Sequence, residues 1–410
     1  MPIRLLHFSD VHIGIENYGR IDPRTGLNSR LADFTAVLDE TIERALQGDV
    51  DLAVFTGDAY RSRDPSPTHQ REFARRIHRL SQAGIPVFLL VGNHDLPAAA
   101  GRANSVDIFE TLEVPNVYVG RKPETLKVPT RRGPVQVVAL PWIAQSLLFA
   151  KEELRAITAD QAREKLAAFT ANFLDGAVAS LDPSLPAILA AHLVVMGATY
   201  SSERSAMLSP ELVLPRSVVA NPAFDYVALG HVHRHQLIAH LPLTLYAGSL
   251  ERIDFGEEHE DKGFVLVDVE KGRAEYRFIK VAARRFLTVK VEALEGDPTA
   301  ATLAALARQE VAAAVVRVEI TTTPEQEASI DYGAIRRALR DAYHVAGIVK
   351  RVEDRDRIRV PGLGALTPQE ALCVYLRSKS TPAERLKALV ERGARLISES
   401  DGDGRRGGAG

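Results

Sequence analysis

The sequence predicts an α/β fold: two layered sheets flanked by helices, then a small second α/β domain and a pair of C-terminal helices. Three observations carry this expectation. Strand-like apolar runs alternate with helical patterns from the N-terminus to about Val91. Short β-like runs from Val117 to Leu140 supply a second sheet to pack on the first, and a compact β-α-β-α-β set follows an Ala282-Ala283 joint.

Each element can be justified in order. Ile3 to Ser9 is a first apolar strand, followed by a polar loop from Ile15 to Ser29 and a helical pattern from Arg30 to about Leu46. Asp51 to Thr56 is a second strand ending at Gly57-Asp58. A basic, proline-marked loop, Arg61-Ser-Arg-Asp-Pro-Ser-Pro, then leads to a helix with Phe73, Ile77 and Leu80 among Arg71, Arg75, Arg76 and Arg79. Pro86 to Val91 begins a third round. An Ala- and Leu-rich helix is expected from about Asp160 to Val178, strands at Pro186 to Ala191 and Tyr226 to Gly230, and a hairpin from Phe264 to Lys280. Beyond the joint come strands at Phe286 to Val291, Val315 to Ile320 and Gly347 to Val352. Helices at about Thr299 to Ala312 and Tyr332 to Tyr343 separate them. Near the C-terminus, Thr367-Pro-Gln-Glu370 and Thr381-Pro-Ala-Glu384 repeat the capping-box pattern and start two helices. The expected boundaries are 1–283, 284–354, a linker with two helices at 355–398, and a Gly-rich, charged, disordered tail at 399–410.

Composition narrows the function classes. With 410 residues and a net charge of -2, contact with a polyanion must come from local patches. A single cysteine, Cys373, excludes a disulfide framework and a cysteine-rich zinc site, and fits a reducing compartment. The N-terminus shows no signal-peptide pattern and no apolar stretch reaches spanning length, so a soluble cytoplasmic protein without a membrane partner is expected.

The chemistry lies where the apolar runs stop. Leu89 to Asp95, LLVGNHD, delivers Asn93, His94 and Asp95; the other strand ends deliver Asp10 and His12, Asp58, His192, and His231 with His233. Strands elsewhere end in turn formers, so the repetition is the signal, and the ends of an open sheet are where ligands bind. Asp10, His12, Asp58, Asn93, His192, His231 and His233 are oxygen and imidazole donors without thiolate, which suits hard or borderline divalent ions, Mn²⁺ above Mg²⁺, Fe²⁺ or Zn²⁺. They fill two sites if one carboxylate bridges, and Asp58, after Gly57 at a sharp turn, is the natural bridge. Two ions about 3.5 to 4 Å apart match the attacking and leaving oxygens of an in-line phosphoryl displacement. His94 is then left for the chemistry, donating a proton to the leaving oxygen or stabilising it, with Asp95 to orient it. Any of these pairs alone is weak evidence, because most Asp-x-His pairs are surface residues; the order and position of all of them together carry the reading. His7, His69, His78, His235, His240, His259 and His344 read as packing or surface residues, with His7 and His235 adjacent to the ligand runs.

Asp10-x-His12, Gly57-Asp58, Gly92-Asn-His-Asp95, His192 and Gly230-His-Val-His233 resemble the five motifs of the calcineurin-like metallophosphoesterases. His192-Leu-Val-Val-Met-Gly-Ala with Ser202-Glu-Arg204, and Tyr246-Ala-Gly-Ser-Leu-Glu-Arg252 with Glu260-Asp-Lys-Gly-Phe264, resemble more narrowly the family of SbcD nuclease subunits of bacterial double-strand-break repair, counterparts of the meiotic recombination eleven nuclease. The resemblance runs over nearly the whole chain. It implies a phosphoesterase core, a capping domain at 284–354, and C-terminal helices that bind the coiled-coil base of an SbcC-like ATPase. It also implies a homodimer within a heterotetramer, 3′ to 5′ degradation of DNA ends and nicking of single strands or hairpins with Mn²⁺. By the same resemblance Asp10, His12, Asp58 and His233 hold one ion, Asp58, Asn93, His192 and His231 the other, and His94 matches the catalytic histidine. One departure is Arg61, where archaeal and eukaryotic members often carry a histidine; it bears on the balance of exonuclease and endonuclease activity. The loop from Ile15 to Ser29 is also longer than usual for the family.

Arg61 and Arg63 are candidate DNA-phosphate contacts, with a solvated loop as the alternative, whereas Arg204 and Arg252 read as structural. The C-terminal helices, too short to bury both apolar faces between themselves, dock either on a partner or back on their own chain. Two other functions compete. A phosphodiesterase or phosphatase for a non-DNA substrate has the same site but no use for the extra domain and docking helices. A non-catalytic, DNA-binding adaptor of the ATPase would be expected to lack some of the ligands.

Overall fold

The computed structural model describes residues 1–97, 102–144, 157–201, 212–352, 366–378 and 382–403. Strands run β1 Ile3–Phe8, β2 Leu52–Phe55, β3 Val87–Leu90, β4 Val117–Gly120, β5 Glu124–Val128, β6 Val135–Leu140, β7 Ala187–His192, β8 Val194–Val195, β9 Val213–Leu214, β10 Tyr226–Gly230, β11 Gln236–His240, β12 Leu243–Tyr246, β13 Gly263–Glu270 and β14 Arg273–Lys280. The helices used below are α1 Ser29–Gln47, α2 Pro67–Gln82, α3 Asp107–Thr111 and α4 Ala159–Ser180.

Twelve of these strands make two six-stranded sheets, ordered β14-β13-β1-β2-β3-β4 and β11-β12-β10-β7-β6-β5, and β8 pairs with β9. Alternation along each strand decides the layering. Leu5, Leu52, Val54, Phe88 and Leu90 of the first sheet share one buried cluster with Ile188, Ala190, Tyr226 and Ala228 of the second, so the sheets pack face to face. The intervening residues Leu6, Phe8, Ala53, Phe55, Val87 and Leu89 face Phe34, Leu38 and Ile42 of α1 and Phe73 and Ile77 of α2. On the far side, Leu189, Ala191, Val227 and Leu229 meet Leu174 and Ala177 of α4. Strands buried on both faces explain why the runs read as continuously apolar rather than alternating.

Two expectations change. The segment from Val117 to Leu140 is divided between the sheets: β4 pairs in parallel with β3, Val87 opposite Val117, while β5 and β6 join the second sheet. The crossover through α3 returns β4 beside its predecessor, a choice of partner that a local apolar pattern does not encode. The ligand-bearing strands also belong to two sheets rather than to the edge of one. The loop at 15–28 has its own anchor: Tyr18 lies edge-on to Phe255 and Phe286, with ring centroids 5.5 Å away in each case, and Asn28 caps α1 through the N–H of Arg30.

A short helix, α5 Arg216–Val219, lies between β9 and β10. Three further strands, β15 Phe286–Ala293, β16 Val315–Thr322 and β17 His344–Val352, form a sheet in that order, with helices α6 Pro298–Ala307, α7 Pro324–Glu327 and α8 Tyr332–Ala338 between them in the chain. The compact units are Met1–Lys290 with Leu303–Glu319 and Gly333–Val349, and Val291–Thr302 with Ile320–Tyr332 and Lys350–Gly410. In the second unit, α9 Pro368–Ser378 carries the capping box, Thr367 Oγ1 accepting the Glu370 N–H at 3.3 Å while Glu370 Oε2 accepts the Thr367 N–H at 2.7 Å. Helix α10 runs Ala383–Asp403, so the first residues of the expected disordered tail are helical. A side chain at Gly393 would collide with Leu372, so the two helices approach each other closely there. Arg204, Thr381, the linker from 355 to 365 and the tail from 404 to 410 lie outside the described residues.

Candidate metal centre

Parallel pairing in register brings the strand ends to one level. Phe8 lies opposite Phe55, Phe55 opposite Leu89, and Gly230 opposite His192. The loops that follow are tied together by backbone bonds: Asp10 N–H donates to Gly57 O at 3.0 Å and His12 N–H to Asp58 O at 3.1 Å. Asp10, His12, Asp58 and His231 all have positive φ, at 51°, 50°, 62° and 94°. L residues adopt this region at a cost, and such strain persists where surrounding structure holds it, most often at functional sites. Gly57, with φ 104°, makes the turn before Asp58, and a Cβ there would fall 2.9 Å from the Gly92 backbone.

The expected ligands come together as buried or half-buried side chains. Donor atoms of Asp10, His12 and His233, of His12, Asp58 and His94, and of Asp58, His192 and His231 form groups within 4.8 Å of one another. Asn93 Oδ1 lies 2.9 Å from His192 Nε2 and 3.1 Å from His231 Nδ1, joining the last group. Asp58 is shared between groups, with Oδ2 3.7 Å from His12 Nε2 and 3.5 Å from His192 Nε2.

Hydrogen bonds behind the rings assign their tautomers. His192 Nδ1 donates to Thr56 O at 2.6 Å, leaving the Nε2 lone pair aimed at Asn93 Oδ1 and Asp58. His233 Nδ1 donates to Glu257 Oε1 at 2.9 Å, leaving Nε2 facing His12 Nε2 at 3.0 Å. Lone pairs and carboxylate oxygens thus converge, an arrangement that demands positive charge between them. The same demand is seen at His192, where burial disfavours a positive charge but Asp58 and Asp10 outweigh burial and raise the imidazole to about 9. Burial opposes the charge on Asp58 as well, yet His192, His94 and His12 hold its carboxyl well below the usual range. An all-oxygen-and-imidazole set of this kind fits a divalent cation.

Asp95 takes a different place from the one expected. Its carboxylate accepts the N–H groups of Asp58 at 2.8 Å, Ala59 at 3.0 Å and Gly92 at 3.0 Å, and does not orient His94. Burial, then the nearby Asp58, pushes its carboxyl up to about 6. The ring of His94 is held instead by Nδ1 donating to Arg61 O at 2.8 Å, and its own N–H donates to Asp58 Oδ1 at 2.9 Å. A buried aspartate that follows a glycine turn has several amides within reach, and those are nearer than the half-buried imidazole.

Arg61 and Arg63 are exposed on the loop after Asp58. Arg252 donates to the carbonyls of Glu257, Arg284 and Glu260, a structural role. His7 is fully buried between Tyr226 Oη and Thr56 Oγ1, and His235 stacks on Phe278 with centroids 4.1 Å apart; neither reaches the ligand groups. Residues the sequence reading missed stand behind the ligands: Thr56, Glu257, Lys262 and Trp142, whose ring lies 5.0 Å from His231. Only the motifs Tyr246 to Arg252 and Glu260 to Phe264 signalled that this segment matters.

Residues 3–235 match the family described as Calcineurin-like phosphoesterase. The chain is similar to the D component of nuclease SbcCD from Escherichia coli (strain K12), 29% identical over 281 residues that cover 67% of this chain and 66% of that protein. It is 27% identical to the D component of nuclease SbcCD from Rhodobacter capsulatus over 386 residues, 90% of this chain and 89% of that protein. With the DNA double-strand break repair protein Mre11 of Thermoplasma acidophilum it shares 25% identity over 284 residues, 68% of this chain and 66% of that protein. The chain therefore spans slightly less than two thirds of the length of the first of these relatives. Among the described residues no helix is long and apolar enough to cross a membrane.

Proposed function

The chain belongs to the calcineurin-like phosphoesterase family, and from that premise we propose that it is the nuclease subunit of an SbcCD-type DNA repair complex. It hydrolyses phosphodiester bonds at DNA ends, as a 3′ to 5′ exonuclease on duplexes and an endonuclease on single strands or hairpins, with two divalent ions, Mn²⁺ foremost. The observation that carries this reading is the convergence of His192 Nε2, Asn93 Oδ1 and Asp58 Oδ2 beside the facing Nε2 atoms of His12 and His233. Similarity to proteins named as nuclease SbcCD and as a DNA double-strand break repair protein supports the substrate class.

In this reading Asp10, His12, Asp58 and His233 hold one ion and Asp58, Asn93, His192 and His231 the other. When bound, such ions neutralise phosphate charge and activate water. Asp58 Oδ2 reaches both groups, 3.7 Å from His12 Nε2 and 3.5 Å from His192 Nε2, as a bridge requires, while Oδ1 accepts the His94 backbone N–H. His94, anchored through Nδ1 on the Arg61 carbonyl, presents Nε2 to the leaving oxygen and donates its proton. Asp95 acts one step back, fixing the loops that carry Asp58 and Asn93. Arg61 and Arg63 meet DNA phosphates. Residues 284–354 cap the phosphoesterase core, and α9 and α10 dock on an SbcC-like coiled-coil ATPase, in a homodimer-based heterotetramer acting in the cytoplasm.

The test is cleavage of end-labelled duplex and hairpin DNA in Mn²⁺, with and without the ATPase partner, comparing wild type, His94→Ala and added chelator. Cleavage that disappears in the variant and in chelator is the expected result. Intact DNA with the partner present, alongside hydrolysis of a small phosphodiester, would leave the phosphoesterase and remove the nuclease.

A further inference from the structure

We propose that Glu257 and Lys262 are a positioning pair that sets the affinity of one of the two metal positions, the one holding His233, independently of the other. The inference rests on the divalent-metal reading above. Neither residue lies on a ligand-bearing strand end.

Glu257 and Lys262 are both fully buried. Glu257 Oε1 accepts the His233 Nδ1–H at 2.9 Å, while Oε2 meets Lys262 Nζ at 2.9 Å and the Ile253 N–H at 3.1 Å. A carboxylate behind a ligating imidazole fixes its tautomer and raises the basicity of the opposite nitrogen. An uncompensated carboxylate at that depth would be costly, and Lys262 compensates it. The same ammonium donates to His233 O at 3.1 Å, Ser249 Oγ at 2.9 Å and Glu260 Oε2 at 3.0 Å, so it also fixes the backbone that carries the ligand. Ser249 in turn bridges to Ser9, next to Asp10. The segment from Ser249 to Lys262 thus braces one group of ligands, Asp10, His12 and His233.

The other group is braced differently. His192 Nδ1 donates to the backbone carbonyl of Thr56, a neutral acceptor. One imidazole is backed by an anion and one by a dipole, a difference in donor strength that adds to the one between Asp10 in the first position and the Asn93 amide in the second. Loss of the Glu257 charge should act on the first and spare the second.

The experiment is calorimetric titration of Mn²⁺ into the metal-free full chain, with thermal unfolding in chelator, for wild type, Glu257→Gln, Lys262→Met and the double variant. Glutamine keeps the shape and an acceptor oxygen while removing the charge. The expected result is two binding events in the wild type and one of them weakened roughly 10- to 100-fold in Glu257→Gln, with the metal-free unfolding temperature lowered, because the amide NH₂ then faces the Ile253 N–H and the Lys262 ammonium. Lys262→Met should lower that temperature, and the double variant should recover it while keeping the single weakened event. Should Glu257→Gln alone unfold, the double variant carries the metal measurement, since both buried charges leave together. Two wild-type-like events in the variants, or equal weakening of both events, overturns the proposal while leaving the metal centre standing. A wild type that binds no divalent ion removes both.

Discussion

The carboxylate of Asp95 accepts the backbone N–H of Asp58 at 2.8 Å, and with Ala59 and Gly92 also bonded to it, the loop after β3 is fastened to the loop after β2. Asp95→Asn puts an NH₂ group where an acceptor stood. At least one of these buried donors then faces another donor, which costs about 1–3 kcal/mol. Chemical denaturation should show that loss, and Mn²⁺ binding should weaken because Asp58 is released. Unchanged stability and unchanged binding would mean that this carboxylate does not hold the loops.

Gly92 is required by close approach rather than by backbone conformation. A Cβ there would fall on Asp58 Oδ1 and 2.5 Å from Asp58 N. Gly92→Ala therefore has to move the shared carboxylate, at a cost of about 1–3 kcal/mol for overpacking. Metal binding should fall with it, most clearly for any ion held through Asp58. A variant that titrates like the wild type would place Asp58 outside the metal centre.

Glu251 gives a pH dependence remote from the ligands. Its oxygens accept the Arg284 N–H at 3.0 and 2.9 Å and it lies 3.8 Å from Arg30. Burial outweighs Arg30 and these N–H groups and pushes its carboxyl from the ordinary 4.5 up to about 7. The folded state then binds this proton more tightly than the unfolded chain does. The contribution is fully present below pH 4.5 and is lost as pH rises through 7. Relative to Glu251→Gln, wild-type stability in chelator should fall by on the order of 3 kcal/mol between pH 4.5 and 8. A difference that stays flat over that range would rule the linkage out.

The strand ends were legible because strands buried on both faces read as unbroken apolar runs, so the first polar residue marks the rim. Which sheet each run joins was not legible: β4 and β6 have similar local patterns and separate only through pairing. Asp95 shows the same limit. Its neighbour in sequence is His94, but its partners in space are amides from two loops, and residue type alone does not choose between them. Glu257 and Lys262 were invisible as site residues because they act across a fold that periodicity does not describe.

Arg61 and Arg63 stand exposed on the loop after Asp58, and their proposed role as phosphate contacts has a salt-dependent signature. Replacing both by Ala should weaken DNA binding evenly across sequences. It should also make the dependence of log K on log salt less steep, by about one unit per lost phosphate contact. Filter binding across a salt series measures this, and an unaltered slope would take these residues off the DNA surface.

His94 has one nitrogen committed, Nδ1 at 2.8 Å from the Arg61 carbonyl, which leaves Nε2 as the atom available to chemistry. If it donates a proton to the leaving oxygen, its importance must depend on how much that oxygen needs one. Deoxyribose leaves as a poor alkoxide, whereas nitrophenolate leaves readily without protonation. His94→Ala should therefore reduce DNA cleavage by about 100- to 10,000-fold, the usual range for general acid catalysis. Hydrolysis of a nitrophenyl phosphodiester should fall far less, and Mn²⁺ binding should stay as in the wild type. Since His94 also lies in a group with His12 and Asp58, a ligand role makes the opposite forecast. Metal affinity would then drop, and both substrates would lose activity in equal measure. The ratio of the two losses, measured at saturating Mn²⁺, separates the proton donor from the ligand.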